Sequence, residues 1–105
     1  MQTWTKGSYK IALNSKTPQE PGDLGIRSGY VCGAFGVCRV GTGQWAAWSL
    51  SHIPSGLHIE DYDRLDTAKE VVSCLMRLGV DWNLTQPLHS VSQTVRDEYT
   101  SIIRR

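Results

Sequence analysis

Apolar positions are most regular towards the middle of the chain. Ala68, Val71, Val72, Leu75 and Leu78 fall at the i, i+3, i+4, i+7 spacing of one helix face. Asp66 or Thr67 stands where a cap is needed, and Thr67 with Glu70 fits the S/T-x-x-E capping box. Gly79 supplies a stop. These signals predict an amphipathic helix over 65–78.

Before this helix the period changes to two. Gln44 to Ile53 alternates, with Ala46, Trp48, Leu50 and His52 on the better core face, which leaves Trp45 on or near the open face. Ile53-Pro54-Ser55-Gly56-Leu57 reads as a tight turn, because Pro54 presets φ and Gly56 accepts positive φ. The chain then returns with Leu57 and Ile59 inward and His58 and Glu60 outward. His52 and His58 lie near one another across this hairpin, on faces that depend on register. Tyr9, Ile11 and Leu13 mark a short first strand. The stretch 14–28, with Pro18, Pro21, Gly22 and Gly25, reads as a long loop.

Gly29 to Val40 has strand character interrupted by Gly33 and Gly36, which mark a bulge, a hairpin or a close backbone approach. The favoured reading is one continuous strand. Cys32 and Cys38 would then lie about 20 Å apart at ~3.3 Å per residue, too far for a disulfide. Pro87 suits the first turn of a last helix over 86–105, with Thr85 as its cap. Leu88, Val91, Val95, Tyr99 and Ile102 recur along it at helical spacing. Docking of this helix on the domain itself is favoured over docking on a partner, because small domains need the burial. The fold class expected is α+β: an antiparallel sheet of three to four strands packed against one amphipathic helix, with a second C-terminal helix. The whole chain, 1–105, forms one small domain.

Composition adds limits. With 105 residues, 40% hydrophobic and 20% charged, the chain suits one ordinary globular core. The net charge of +1 argues against a general polyanion binder. Charge is segregated, however. Lys6, Lys10, Lys16, Arg27 and Arg39 outnumber Glu20 and Asp23 in the first forty residues, whereas Glu60, Asp61, Asp63, Asp66 and Glu70 outnumber Arg64 and Lys69 in 59–70. Three cysteines, an odd number, and no apolar leader predict a reducing, cytoplasmic setting. No apolar run reaches the roughly 18 residues of a membrane span.

Catalytic patterns are sparse. Cys32, Cys38, Cys74, His52, His58 and His89 form no C-x-x-C, H-x-x-x-H or H-E-x-x-H spacing, so no metal and no cofactor is expected. The cysteines sit in apolar sequence, where thiols are inert. The acids Glu60-Asp61-Tyr62-Asp63 read as a solvated cluster at a strand–helix junction rather than as an acid–base pair. No enzymatic activity is expected.

Gly36-Val37-Cys38-Arg39, Gly43-Gln44-Trp45-Ala46-Ala47, the Ser55-Gly56 turn, Tyr62 and Asp66-Thr67-Ala68-Lys69-Glu70 form a layout of three strands and a packed helix. It resembles the plant ethylene-response-factor type of DNA-binding domain and the related arm-binding domains of tyrosine recombinases. The resemblance covers Phe35 to Leu78. It implies a sheet face that enters the DNA major groove, on which Arg39 and Trp45 match by position. Ser49, Ser51, His58 and Glu60 stand where further arginines would be. Size and charge layout are also similar to phage and mobile-element accessory proteins, anti-CRISPR proteins among them. This implies an inhibitor that occupies the basic surface of a nucleoprotein machine.

Two expectations follow. The favoured one is a non-catalytic module that docks on a protein or nucleoprotein partner with a basic surface, through Trp45, Glu60, Asp61, Tyr62 and Asp63. The alternative is a nucleic-acid-binding sheet that uses Arg27, Arg39, Trp45 and His52. No membrane partner is expected. Pairing of two copies through an edge strand or the last helix remains open.

Overall fold

A computed structural model describes residues 3–12 and 24–104. Five strands form one antiparallel sheet in chain order: β1 (Thr5–Ala12), β2 (Leu24–Cys32), β3 (Phe35–Val40), β4 (Ala47–His52) and β5 (Leu57–Tyr62). Helices α1 (Leu65–Met76) and α2 (Gln93–Ile103) follow. The architecture is α+β as expected, with five strands instead of three to four.

The added strand comes from two places. Leu24–Cys32, part of which was expected to be loop, pairs with all of β1, from Thr5 opposite Val31 to Ala12 opposite Leu24. The rest of the expected loop, and Leu13, lie outside the described residues. The run Gly29 to Val40 is also not one strand. It folds back at Gly33-Ala34, where Gly33 takes φ 58°, and Cys32 pairs with Phe35. Three residues and a change of face separate Phe35 from Cys38, so the two cysteines sit on opposite sides of the sheet, and both are free thiols.

One face of the sheet carries the core. Phe35 and Val37 of β3 and Leu50 of β4 are fully buried beneath Ala68, Val71, Val72 and Leu75 of α1. Each large aliphatic residue of this set contributes about 1.5–3 kcal/mol by leaving water. Trp82 closes the end of the core. Its ring meets Phe35 edge-on at 5.2 Å between centroids, and its indole N–H donates to the Leu75 carbonyl at 2.9 Å. Tyr99, Ile102 and Ile103 of α2 pack on the same cluster. The Tyr62 hydroxyl donates to the Ile103 carbonyl at 2.6 Å, which ties the last helix to β5.

The helix ends differ from expectation. α1 starts at Leu65 behind Arg64, whose side chain makes no capping bond, so Thr67 lies inside the first turn and forms no capping box. Asp66 still places an acid at the positive end of the helix dipole. α2 begins at Gln93 and not near Gln86, because Ser92 caps it by accepting from the Val95 N–H at 3.3 Å. Residues 86–92 are turns.

The opposite face is concave. Tyr9 of β1 is 5% exposed and lies flat against Gly36 of β3, where a Cβ would come within 2.6 Å of its ring. At Gly29 of β2 a Cβ would sit 2.1 Å from the Val37 carbonyl oxygen. These two glycines let β1 and β2 fold over β3, and the sheet curls until β1 meets β5. A bulge between Leu50 and Ser51, facing β5, adds to the curvature. The bulge also resets β5. Leu57 is 45% exposed rather than inward, and Glu60 lies opposite Leu50 on the helix side.

Gly29→Ala is expected to cost at least about 2 kcal/mol in urea unfolding, since the clash is with backbone that cannot rotate away. Tyr9 gives a pH signature. Burial, followed by the nearby Cys38 thiol, holds its hydroxyl protonated well above the ordinary value of 10.0. The unfolded chain releases that proton near pH 10 while the folded chain keeps it. The resulting stability is complete below pH 10 and is lost as the pH rises beyond it. Unfolding midpoints should therefore fall above pH 10, and fall less in Tyr9→Phe. Among the described residues the hydroxyl makes no hydrogen bond of good geometry, so at pH 8 Tyr9→Phe should match the parent or gain up to about 1 kcal/mol.

Candidate functional site

Helix α1 packs chiefly against β3, β4 and β5, while Lys6 and Ser8 of β1 and Ser28 of β2 stay exposed on the helix-side face. Register decides which side chains stand there. Lys6 pairs with Tyr30 and Ser8 with Ser28 across β1 and β2, while Arg39 pairs with Trp48 across β3 and β4. Tyr30 pairs in turn with Val37, which shares its face with Arg39. Lys6, Tyr30, Arg39 and Trp48 thus come from four strands to one surface. There they line a groove of about 510 Å³ with Ser8 and Ser28.

The rings of Tyr30 and Trp48 form the groove floor, with centroids 6.3 Å apart and planes inclined by 43°. Both are half-buried. Lys69 of α1 sits at the side, its ammonium 5.3 Å from the Tyr30 ring and 5.8 Å from the Trp4 ring, each within cation–π range. The Ser8 and Ser28 hydroxyls lie 3.1 Å apart. Among the described residues the charged ones lining the groove are Lys6 and Arg39, both exposed, and no described acid shares the lining. Two cations beside two ring faces can hold an anionic group and a flat ring together.

The residues expected to bind a partner are dispersed. Trp45 is not on the sheet. It lies on a 3-10 turn, Gly43–Trp45, entered through Gly41 at φ 76°, and is 78% exposed. This turn joins Val40 to Ala47, at the end of the sheet that carries Arg39 and Trp48. Tyr62 is 4% exposed and committed to Ile103, so it is a core residue and not an anchor. Glu60 is half-buried on the helix side and accepts the Asp61 N–H at 3.0 Å. Its charge, after burial, raises the Tyr99 hydroxyl above its ordinary range. Asp61 faces the other way and meets His58 at 2.8 Å, while Asp63 is exposed. The four neighbours in sequence therefore form no single patch, because strand alternation divides them.

The alternative set is divided as well. Arg27 opposes Tyr9 and borders the concave face. Arg39 lies on the helix side, whereas the resemblance places it on the face away from the helix. His52 is 5% exposed and turned into the core. Of the four, Arg39 alone lines the groove. Lys6, Tyr30 and Trp48 join it through long-range register, and the Gly and Ser residues of β2 gave no sign of that pairing. Burial raises the Cys32 thiol above its ordinary range, which suits an inert residue. Among the described residues no group of three or more His, Cys, Asp or Glu is placed to hold a metal ion. No described helix is long and apolar enough to cross a membrane.

Comparison of the chain with family models, with characterised proteins and with solved structures finds no match to any of them.

Proposed function

We propose that this domain binds single-stranded nucleic acid in the groove that Lys6, Tyr30, Arg39 and Trp48 line across β1 to β4. The observation that carries the reading is the pair of ring faces, Tyr30 and Trp48, 6.3 Å apart and flanked by Lys6 and Arg39. Sequence-tolerant recognition of single strands uses this combination: aromatic faces on which unpaired bases stack, and cations that follow the phosphates. A duplex keeps its bases stacked and offers mainly phosphate, which a chain of net charge +1 neutralises poorly. The Ser8 and Ser28 hydroxyls supply neutral hydrogen bonds within the same groove. Trp45, exposed on the turn that follows Arg39-Val40, is a candidate third ring.

A protein-docking reading has one observation on its side, the 78% exposure of Trp45 with the exposed Asp63 towards the same end of the sheet. It loses Tyr62 to the core.

Anisotropy with a short fluorescein-labelled single strand tests the proposal. Binding should be strongest at low salt and should exceed binding to a duplex of the same length. Two phosphate contacts should give a log–log salt slope of about −1.4, from ~0.7 per contact for single strands. Trp48→Ala should weaken binding about tenfold through lost stacking. Because Trp48 also touches the core, Arg39→Glu, an exposed change, provides an independent loss. Undetectable binding at low salt, or unchanged binding in Arg39→Glu, would sink the idea. Capture of a basic protein partner that needs Trp45 and Asp63 but not Arg39 would favour docking instead.

A further inference from the structure

A second cleft, of about 570 Å³, lies at the other end of the sheet, between the β4–β5 turn and residues 82–89. At its base stands His52, held through both ring nitrogens. Nε2 lies 2.6 Å from the Trp82 carbonyl oxygen, and Nδ1 lies 2.8 Å from the Ser55 Oγ. A carbonyl oxygen can only accept, so Nε2 carries a proton. In the neutral ring Nδ1 then presents its lone pair to the Ser55 hydroxyl. The hydroxyl also has the His52 carbonyl within 3.3 Å, but Nδ1 is the closer acceptor.

The arrangement has the three parts of an activated nucleophile: a hydroxyl, a base within hydrogen-bond reach, and a third group that fixes the tautomer and orientation of the base. Here the third group is a main-chain carbonyl. Burial of His52 at 5% exposure and ring contacts with Phe35 and Trp82 keep the imidazole in place. The turn also orients the serine. The Leu57 N–H donates to Oγ at 3.2 Å and leaves one lone pair for attack. Ile53 and Gly56 commit their N–H groups to Ala34, and to His52 and Ile53 respectively, and Pro54 has none. Among the described residues the Ser55 N–H has no such backbone acceptor, and it would receive the negative charge that develops beside Oγ. Leu57, Ile59, Pro87 and Leu88 give the cleft apolar walls.

We propose that Ser55 and His52 form an acyl-transfer dyad that hydrolyses esters of small apolar acids held against these walls. Ser55 Oγ forms a bond to the ester carbonyl carbon as its proton passes to His52 Nδ1. The resulting imidazolium still donates Nε2–H to Trp82. The C–O bond to the leaving alcohol breaks, and that oxygen takes the proton from Nδ1. Water then attacks the acyl-serine, gives a proton to Nδ1 and releases the acid, and Ser55 recovers its proton. Ester and water become acid and alcohol, with no further reagent. A carbonyl dipole stabilises imidazolium less than a carboxylate does, so turnover should be slow. The site is separate from the nucleic-acid groove, and either proposal can fail alone.

A fluorophosphonate probe tests the dyad directly, because attack displaces fluoride and leaves a stable phosphorus–oxygen bond. Mass spectrometry of the intact folded protein should show one adduct, mapped to Ser55 and absent from Ser55→Ala. Hydrolysis of p-nitrophenyl butyrate should fall about a hundredfold in Ser55→Ala, the range of general-base contributions. Glu98→Gln, an exposed change on α2, should leave both signals unchanged. His52→Gln should slow labelling; if that variant unfolds, the Ser55 adduct and Ser55→Ala still decide the matter. An unmodified mass, an adduct elsewhere, or equal hydrolysis in Ser55→Ala overturns the proposal.

Discussion

The coverage that α1 can give the sheet determines most of what this molecule offers to a partner. Five strands at ~4.8 Å spacing span roughly 19 Å, while a helix with its side chains is about 10 Å across. One helix therefore shields about half of the width. Its stripe from Ala68 to Leu75 sits over β3, β4 and β5, where Phe35, Val37 and Leu50 are fully buried. The second helix packs behind α1 and over β5 instead of filling the gap, tied by the Tyr62–Ile103 bond. Beyond the first helix the same face continues onto β1 and β2, and half-buried aromatic rings take over from aliphatic side chains. Tyr30 and Trp48 are suited to such a margin, since a ring can pack at one edge and stay accessible on one face.

The other end of the sheet is managed differently. There the chain closes the core with Trp82, and the strand-to-strand turn is locked by polar bonds. His52 links Ser55 to the Trp82 carbonyl across 30 residues, so a single side chain joins the β4–β5 turn to the segment between the helices. A buried imidazole with both nitrogens satisfied avoids the penalty of an unpaired polar group. The two ends thus differ in chemistry. One has cations beside rings, and the other has a buried imidazole beneath apolar walls.

Much of the frame could be read from the residues. The α1 stripe and the Ile53–Leu57 turn follow from local periodicity and from the φ demands of Pro54 and Gly56, which need no distant partner. The core face of β4 was also readable, because Leu50 and His52 alternate with serines. β2 was not, because Gly25, Ser28 and Gly29 carry turn chemistry in a strand whose stability comes from pairing with β1. The capping box at Thr67 failed because the helix already starts at Leu65, three residues before a Thr67 cap would let it begin. The candidate groove lay beyond local reading altogether. Lys6 and Trp48 are separated by 42 positions, and they share a surface only through the successive registers of the sheet. The acidic run at Glu60 to Asp63 misled for the opposite reason: neighbours in sequence are divided between faces by a period of two and a bulge.

The groove depends on all of the sheet at once. Lys6 and Tyr30 come from β1 and β2, Arg39 and Trp48 from β3 and β4, and Gly29 lets the two pairs approach. A form in which β1 and β2 have opened while β3 to α1 stays folded would keep the main core but have no groove. Such partial opening is the usual first excursion of a native protein, and it costs less than global unfolding. A ligand seated in the groove excludes that excursion as well as complete unfolding, by the mass-action factor RT ln(1 + [L]/Kd). Occupancy would therefore show as slowed hydrogen exchange along β1 and β2, at amides that never touch the ligand.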